Sequence, residues 1–230
     1  MSETAGYADR RLGRIRPLGL QRELLQIAAM LTMLIDHIGA VLFPEQPELR
    51  IVGRLSFPFY AFGIVQGYLL SGNVKAYMKR IALLAVISEL PYVLAFGVWE
   101  INALGTLFIC LTTLFVMDRI RFLIGKLLIA GAAIACLAWV PADYGFYAAV
   151  LILIYRYAQA HAAIVFHCLL NTYYGLSQGA QIQHFSILST VWLAAGPNVR
   201  FSGRPVPRWL WLSFYPLHLT LLVVIKRLFF

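Results

Sequence analysis

Charge is scarce in this sequence, and acidic charge scarcer still. Ten Asp and Glu face nineteen Lys and Arg among 230 residues; 13% of the chain is charged and 61% hydrophobic. Soluble domains run near 25% charged and 45 to 50% apolar, so the composition excludes an ordinary soluble domain and points to an integral membrane protein. Cysteine is equally sparse. Cys110, Cys136 and Cys168 form no CxxC and no metal-ligand spacing, which excludes a disulfide framework or a zinc site and leaves them as expected small buried hydrophobes. No GxGxxG or phosphate-binding loop is present to announce a nucleotide. There is also no internal repeat and no matched pair of Gly/Pro-broken helices, the marks of many secondary transporters.

Long apolar runs are plentiful. They predict spans near residues 24–43, 51–71, 77–97, 101–117, 123–140, 143–158, 160–175, 180–196 and 209–228. The expected fold is therefore all-α, a polytopic transmembrane bundle of about nine spans, range eight to ten. Residues 1–23 form a basic segment ahead of this 24–230 membrane domain. The first run is longer than the apolar core of a secretory signal and carries Asp36, so it is expected to be a retained span.

With the N-terminus cytoplasmic, fifteen basic residues fall on the inner side, among them Arg10, Arg11, Lys75, Arg80, Arg119 and Arg156. Arg50, Lys226 and Arg227 fall outside, and Arg54 lies within the second span. That asymmetry sets N-in orientation. It also assigns the net charge of +9 to topology beside anionic lipid, with a bilayer and no nucleic acid as partner.

Ionisable groups inside the oil need a reason, since each costs roughly 2.5 to 3.5 kcal/mol at mid-bilayer. The run "MLIDHIGAVLF" carries Asp36 and His37; the second, third and ninth spans carry Arg54, Glu89 and His218. Asn102 and the pair Asp143 and Tyr144 stand at span ends. Alternating topology brings Asp36, His37, Arg54, Asn102 and Asp143 to the outer half of the membrane, with His218 near its middle. Neighbours on a helix point about 100° apart, so Asp36 and His37 must take different partners. Asp36 is expected to pair with Arg54, and His37 to face a cavity as a base. The bland alternative is an ion pair that only registers two helices. Glu89 reads equally well as structural or functional. His161, His167 and His184 read as structural, and Gly63 and Gly67 as a close helix contact.

Six blocks, "MLIDHIG", "GRLSFPFYAF" with "QGY", "YMKRIALLAVISELPY", "INALGT", "ADYGFY" and "FYPLHL", fall in the order and spacing of the TraX family. The chain resembles that family from residue 24 to about 225. It departs at Gly105, where an aromatic is expected, and in the loop "AGPNVRFSGRPVPR". TraX proteins are membrane proteins of conjugal transfer that acetylate the N-terminus of pilin. They are similar to a wider group of transmembrane acyltransferases that includes the lysosomal heparan N-acetyltransferase.

The resemblance implies an acetyl-CoA-dependent N-acetyltransferase of the bacterial inner membrane, acting on a pilin or another amine-bearing acceptor, with no metal. Carried over by position, its catalytic set is His37, Asp36, Arg54, Asn102 and His218. His37 is the expected base, His218 the rival or second proton carrier, and Asn102 or Arg54 the oxyanion partner. Donor binding is expected of Arg80, Asp143 and Tyr144, with Lys75, Lys79, Arg119, Arg121 and the Arg200 to Arg208 loop as further phosphate partners. Competing readings are an O-acetyltransferase of a glycan or lipid, a proton-coupled transporter and a noncatalytic assembly protein.

Overall fold

The computed structural model describes residues 22–195 and 205–229. The basic segment at 1–21 and most of the Arg200 to Arg208 loop lie outside the described residues. Every apolar run coincides with helix. In chain order these are α1 (Arg22–Leu42), α2 (Pro47–Gly53), α3 (Ser56–Leu70), α4 (Val74–Phe96), α5 (Ala103–Met117), α6 (Leu123–Trp139), α7 (Gly145–Tyr157), α8 (Ala160–Gln178), a 3-10 helix (Gln181–Ser186), α9 (Ile187–Ala195) and α10 (Arg208–Phe229). Among the described residues the one extended contact is a parallel bridge between Ile101 and Ala142.

Local chemistry sets the helix ends. Pro47 opens α2, where a missing N–H is harmless. Asn73 caps α4 by accepting from the Ala76 N–H at 3.0 Å, and Gly97 closes that helix at φ 71°. Asn102 caps α5 through the Gly105 N–H at 3.1 Å. The expected single span over 51–71 is broken: Arg54 lies in the joint between α2 and α3 rather than inside a helix. Pro58 is the physical cause, because it has no N–H to offer the Arg54 carbonyl four residues back and its ring crowds that carbonyl. The eighth run divides similarly into the 3-10 helix and α9.

The central element is α3. Its Phe57, Phe59, Ala61, Phe62 and Val65 are buried against α1, α5, α7 and α9, and Leu107, Leu111, Tyr147 and Leu151 complete that core. Gly67 of the GxxxG pair allows Tyr77 to lie over it, where a Cβ would come within 2.5 Å of the phenol oxygen. By contrast, α6 is peripheral; Leu123, Ile124, Leu127 and Leu128 face outward.

Two helices, Glu23–Leu42 and Arg208–Phe229, are long and apolar enough to cross a membrane. The others fall short for visible reasons. α5, α6 and α7 have 15, 17 and 13 residues, α4 carries Lys75, Lys79, Arg80 and Glu89, and α8 carries several polar side chains. The cysteine expectation is corrected as well: Cys110 is buried, but Cys136 and Cys168 are exposed. They sit on the outward apolar faces of α6 and α8, where Leu128 and Leu169 are exposed too.

Candidate active site

The last turns of α1 carry Asp36 and His37 to the end of the bundle where α3, α5 and α7 begin. Asp36 is buried and bracketed by two guanidinium groups, with Arg50 Nη1 donating to Oδ2 at 2.7 Å and Arg54 Nη2 to Oδ1 at 2.8 Å. Arg50 also donates to the Asp36 carbonyl at 3.0 Å, and Arg54 Nη1 reaches Gln183 Oε1 at 3.4 Å. Close approach of α1 and α2 makes this possible. A Cβ at Gly53 would lie 2.0 Å from Asp36 Oδ1, so only glycine leaves room for the carboxylate. A buried carboxylate held by two charge-assisted contacts fixes α1, α2 and α3 in one register.

His37 takes a different direction. Its Nδ1 lies 2.7 Å from Nε2 of His218, and His218 Nδ1 lies 2.6 Å from the Phe214 carbonyl. A carbonyl only accepts, so His218 Nδ1 donates the proton. In a neutral imidazole its Nε2 is then an acceptor, which makes His37 Nδ1 the donor between the rings. The remaining atom, His37 Nε2, holds a lone pair with no hydrogen-bond partner among the described residues. Phe96 meets the His37 ring edge-on at 5.2 Å between centroids, and Tyr215 does so at 6.0 Å.

The α4–α5 and α6–α7 connections meet beside this pair. Ile101 N donates to the Pro141 carbonyl at 2.9 Å, and Asp143 N to the Ile101 carbonyl at 2.8 Å, so Asn102 and Asp143 are held side by side. The Asn102 amide donates to the Ala85 carbonyl at 2.8 Å and to Glu89. Both of its N–H bonds are engaged, and Glu89 thereby fastens α4 to the start of α5. Next to Asp143, Tyr144 has φ 62°, an uncommon conformation for a residue with a Cβ and one that collects at functional sites. It stacks on Phe57 with centroids 3.7 Å apart and lies under the Arg54 guanidinium at 5.9 Å. Burial pushes the Asp143 carboxyl up to about 7, against the opposing pull of Arg54.

A family model described as "TraX protein" matches residues 21–226. The chain belongs to the TraX family. A relative from Dichelobacter nodosus, named "Probable fimbrial assembly protein FimC, serogroup H1", is 27% identical over 239 residues, covering 88% of this chain and 94% of its own. "Uncharacterized protein RP591" of Rickettsia prowazekii (strain Madrid E) is 44% identical over 41 residues, 18% of this chain and 16% of its own. No solved structure matches.

In this TraX protein the expected catalytic positions are thus drawn together, while the expected donor-binding positions divide. Asp36, His37, Arg54, Asn102, Asp143, Tyr144 and His218 share one end of the bundle. Arg80 does not. It stands sixteen residues before Phe96 on α4, roughly 24 Å away at 1.5 Å per residue, with its guanidinium over the Tyr77 ring at 5.8 Å. The opposite end of the bundle also holds Asp118, which accepts from the Tyr68 hydroxyl at 2.7 Å and pairs with Arg156 at 3.5 Å.

Two features of the TraX site escaped the sequence reading. In sequence Arg50 reads as a loop cation, although its spacing of four from Arg54 would put both on one helical face. The second feature is a buried network around His167. Its Nε2 meets the Tyr147 hydroxyl at 2.7 Å and Nδ1 meets Thr190 Oγ1. Tyr147 donates to Asn171 Oδ1 at 2.9 Å, and Asn171 Nδ2 donates to Ser186 Oγ at 3.1 Å.

Proposed function

We propose that this TraX protein is a membrane-embedded acetyltransferase that moves the acetyl group of acetyl-CoA to an amine, the N-terminus of a pilin or pilin-like protein. One observation carries the reading: His37 presents an unengaged Nε2 lone pair while its other nitrogen is tied through His218 to the Phe214 carbonyl. A free amine that attacks a thioester carries a surplus proton on nitrogen once the N–C bond forms. A neutral imidazole whose tautomer is fixed by its neighbour suits the removal of that proton.

The roles follow from position. His37 Nε2 takes the proton of the attacking nitrogen and returns it to the departing thiolate. His218 orients His37, and Asp36 with Arg50 and Arg54 holds α1 in place beneath it. Asp143 and the strained Tyr144 border the same space. The basic residues at the far end of the bundle, Arg80 and Arg156 among them, suit the phosphates of a donor that enters there while its acyl end reaches His37.

Multi-pass insertion with the N-terminus inside is supported by two membrane-length apolar helices, by outward-facing apolar side chains such as Val86, Leu90, Leu128 and Leu176, and by the lysine and arginine asymmetry. The fimbrial name of the Dichelobacter relative favours a pilin-type acceptor over a glycan or lipid hydroxyl.

The test is acetyl transfer by purified protein in lipid nanodiscs, supplied with radiolabelled acetyl-CoA and a peptide carrying a pilin N-terminus. Label is expected on the N-terminal amine. Label on a hydroxyl of an added glycan or lipid would make it an O-acetyltransferase. Binding of a solute with no use of acetyl-CoA would point to a transporter.

A further inference from the structure

The start of α10 holds a group that neither the ion-paired cluster nor the histidine relay uses. Tyr215 is 5% exposed, and its buried hydroxyl has no hydrogen-bond partner among the described residues. Its ring meets His37 edge-on at 6.0 Å and His218 at 5.7 Å, and the Ala103 backbone in the first turn of α5 lies near its hydroxyl. Buried hydroxyls nearly always find an acceptor. A phenylalanine would fill the same space without leaving a donor unsatisfied.

The neighbouring donors are committed elsewhere. Asn102 Nδ2 is held by the Ala85 carbonyl and Glu89. Arg50 and Arg54 are held by Asp36, and the Tyr92 hydroxyl donates to Glu100 at 2.7 Å. Among the tyrosines around His37, Tyr215 has the fully buried hydroxyl with no partner among the described residues. It also lies where the positive end of α5 adds to its pull on negative charge.

We propose that the Tyr215 hydroxyl is the oxyanion donor of this centre, a catalytic residue that binds the carbonyl oxygen of the thioester. This rests on the acetyl-transfer reading above. The amine lone pair forms the new N–C bond, and the C=O π pair moves to oxygen, where Tyr215 donates its hydrogen bond. The surplus proton on nitrogen passes to His37 Nε2. The oxyanion then re-forms C=O, the C–S bond breaks with its electron pair on sulfur, and His37 returns the proton to give free thiol and amide. A donor engaged only as charge develops lowers the barrier without tightening ground-state binding.

The experiment compares wild type with Tyr215→Phe in nanodiscs, using labelled acetyl-CoA and the pilin peptide. The kcat of Y215F is expected to fall roughly 100- to 1,000-fold, with KM for acetyl-CoA little changed and the unfolding midpoint equal to or above that of wild type. A structural role predicts the reverse, a lowered midpoint and an intact kcat. If wild type transfers acetyl and Y215F keeps kcat within about threefold, a change too small for a lost oxyanion donor, Tyr215 is not the donor and the acetyl-transfer reading stands. If wild type transfers nothing, that reading fails and the role of Tyr215 fails with it. Should Y215F not fold, 3,5-difluorotyrosine installed at position 215 replaces it. Turnover should then fall with rising pH where the fluorinated phenol ionises, and a pH profile like that of wild type would overturn the proposal.

Discussion

Two buried histidines, each among polar neighbours, sit at opposite poles of hydrogen-bond completeness. His167 has both ring nitrogens engaged, and its neighbours Tyr147, Asn171, Ser186 and Thr190 are engaged with it or with one another. His37 has one nitrogen engaged and one open, beside a tyrosine hydroxyl with no partner among the described residues. The closed network has every reason to be rigid and little capacity to accept a proton from a substrate. The open one leaves a lone pair and an O–H that a ligand can engage. Residue type does not separate them; unsatisfied hydrogen-bonding capacity does. The two regions touch where Arg54 reaches Gln183 and Ser189 donates to the Leu55 carbonyl at 2.7 Å, so the closed network backs the open site.

This contrast can be broken at several points. The largest effect on stability is expected from Asp36→Ala, which strands two guanidinium groups; about 3 kcal/mol should be lost, the low end for a broken buried pair because Arg50 is partly exposed. Unfolding midpoints in detergent measure it. His167→Ala should cost about 1 to 3 kcal/mol by removing one hydrogen-bond partner each from Tyr147 and Thr190 and leaving a buried void, read the same way. His218→Ala should lower turnover per folded molecule about tenfold, equivalent to 1.36 kcal/mol in the barrier, because His37 then loses the partner that fixes its tautomer; steady-state acetyl transfer checks this.

A separate effect is one of pH. The Asp143 carboxyl titrates near 7 in the folded chain against an ordinary 3.8, so the folded state keeps a proton that the unfolded chain has released. Its contribution to stability therefore falls as pH rises from about 4 to about 7 and is flat above. Asp143→Asn should remove that slope from a series of midpoints between pH 4 and 8.

Much of the open site was legible before the structure. The 100° offset of adjacent helical residues separates the partners of Asp36 and His37; the expected Arg54 pairs with Asp36, whereas His37 meets His218 rather than facing only a cavity. Alternating topology gives Asn102 and Asp143 only a similar depth, and the Ile101–Ala142 bridge adds that they lie side by side. Other features were hidden for physical reasons. Arg50 looks like a loop charge unless α2 is recognised as a helix that Pro58 cuts off from α3. Tyr215 looks like core, since an aromatic in an apolar run betrays nothing about where its hydroxyl points. The His167 network draws on α7, α8, the 3-10 helix and α9, whose neutral polar residues are each unremarkable in sequence and meet only in three dimensions. The resemblance groups Arg80 with Asp143 and Tyr144 by function, while the length of α4 holds it at the other end.

The central claim is that the open histidine does the chemistry and the closed one holds the scaffold. Acetyl transfer by His37→Ala and His167→Ala, each normalised to folded protein, tests it in a single assay. H37A is expected to lose at least roughly 100-fold in turnover, the lower range for a general base, while H167A keeps the wild-type rate per folded molecule. Retained turnover in H37A, or equal losses in both, would contradict the account.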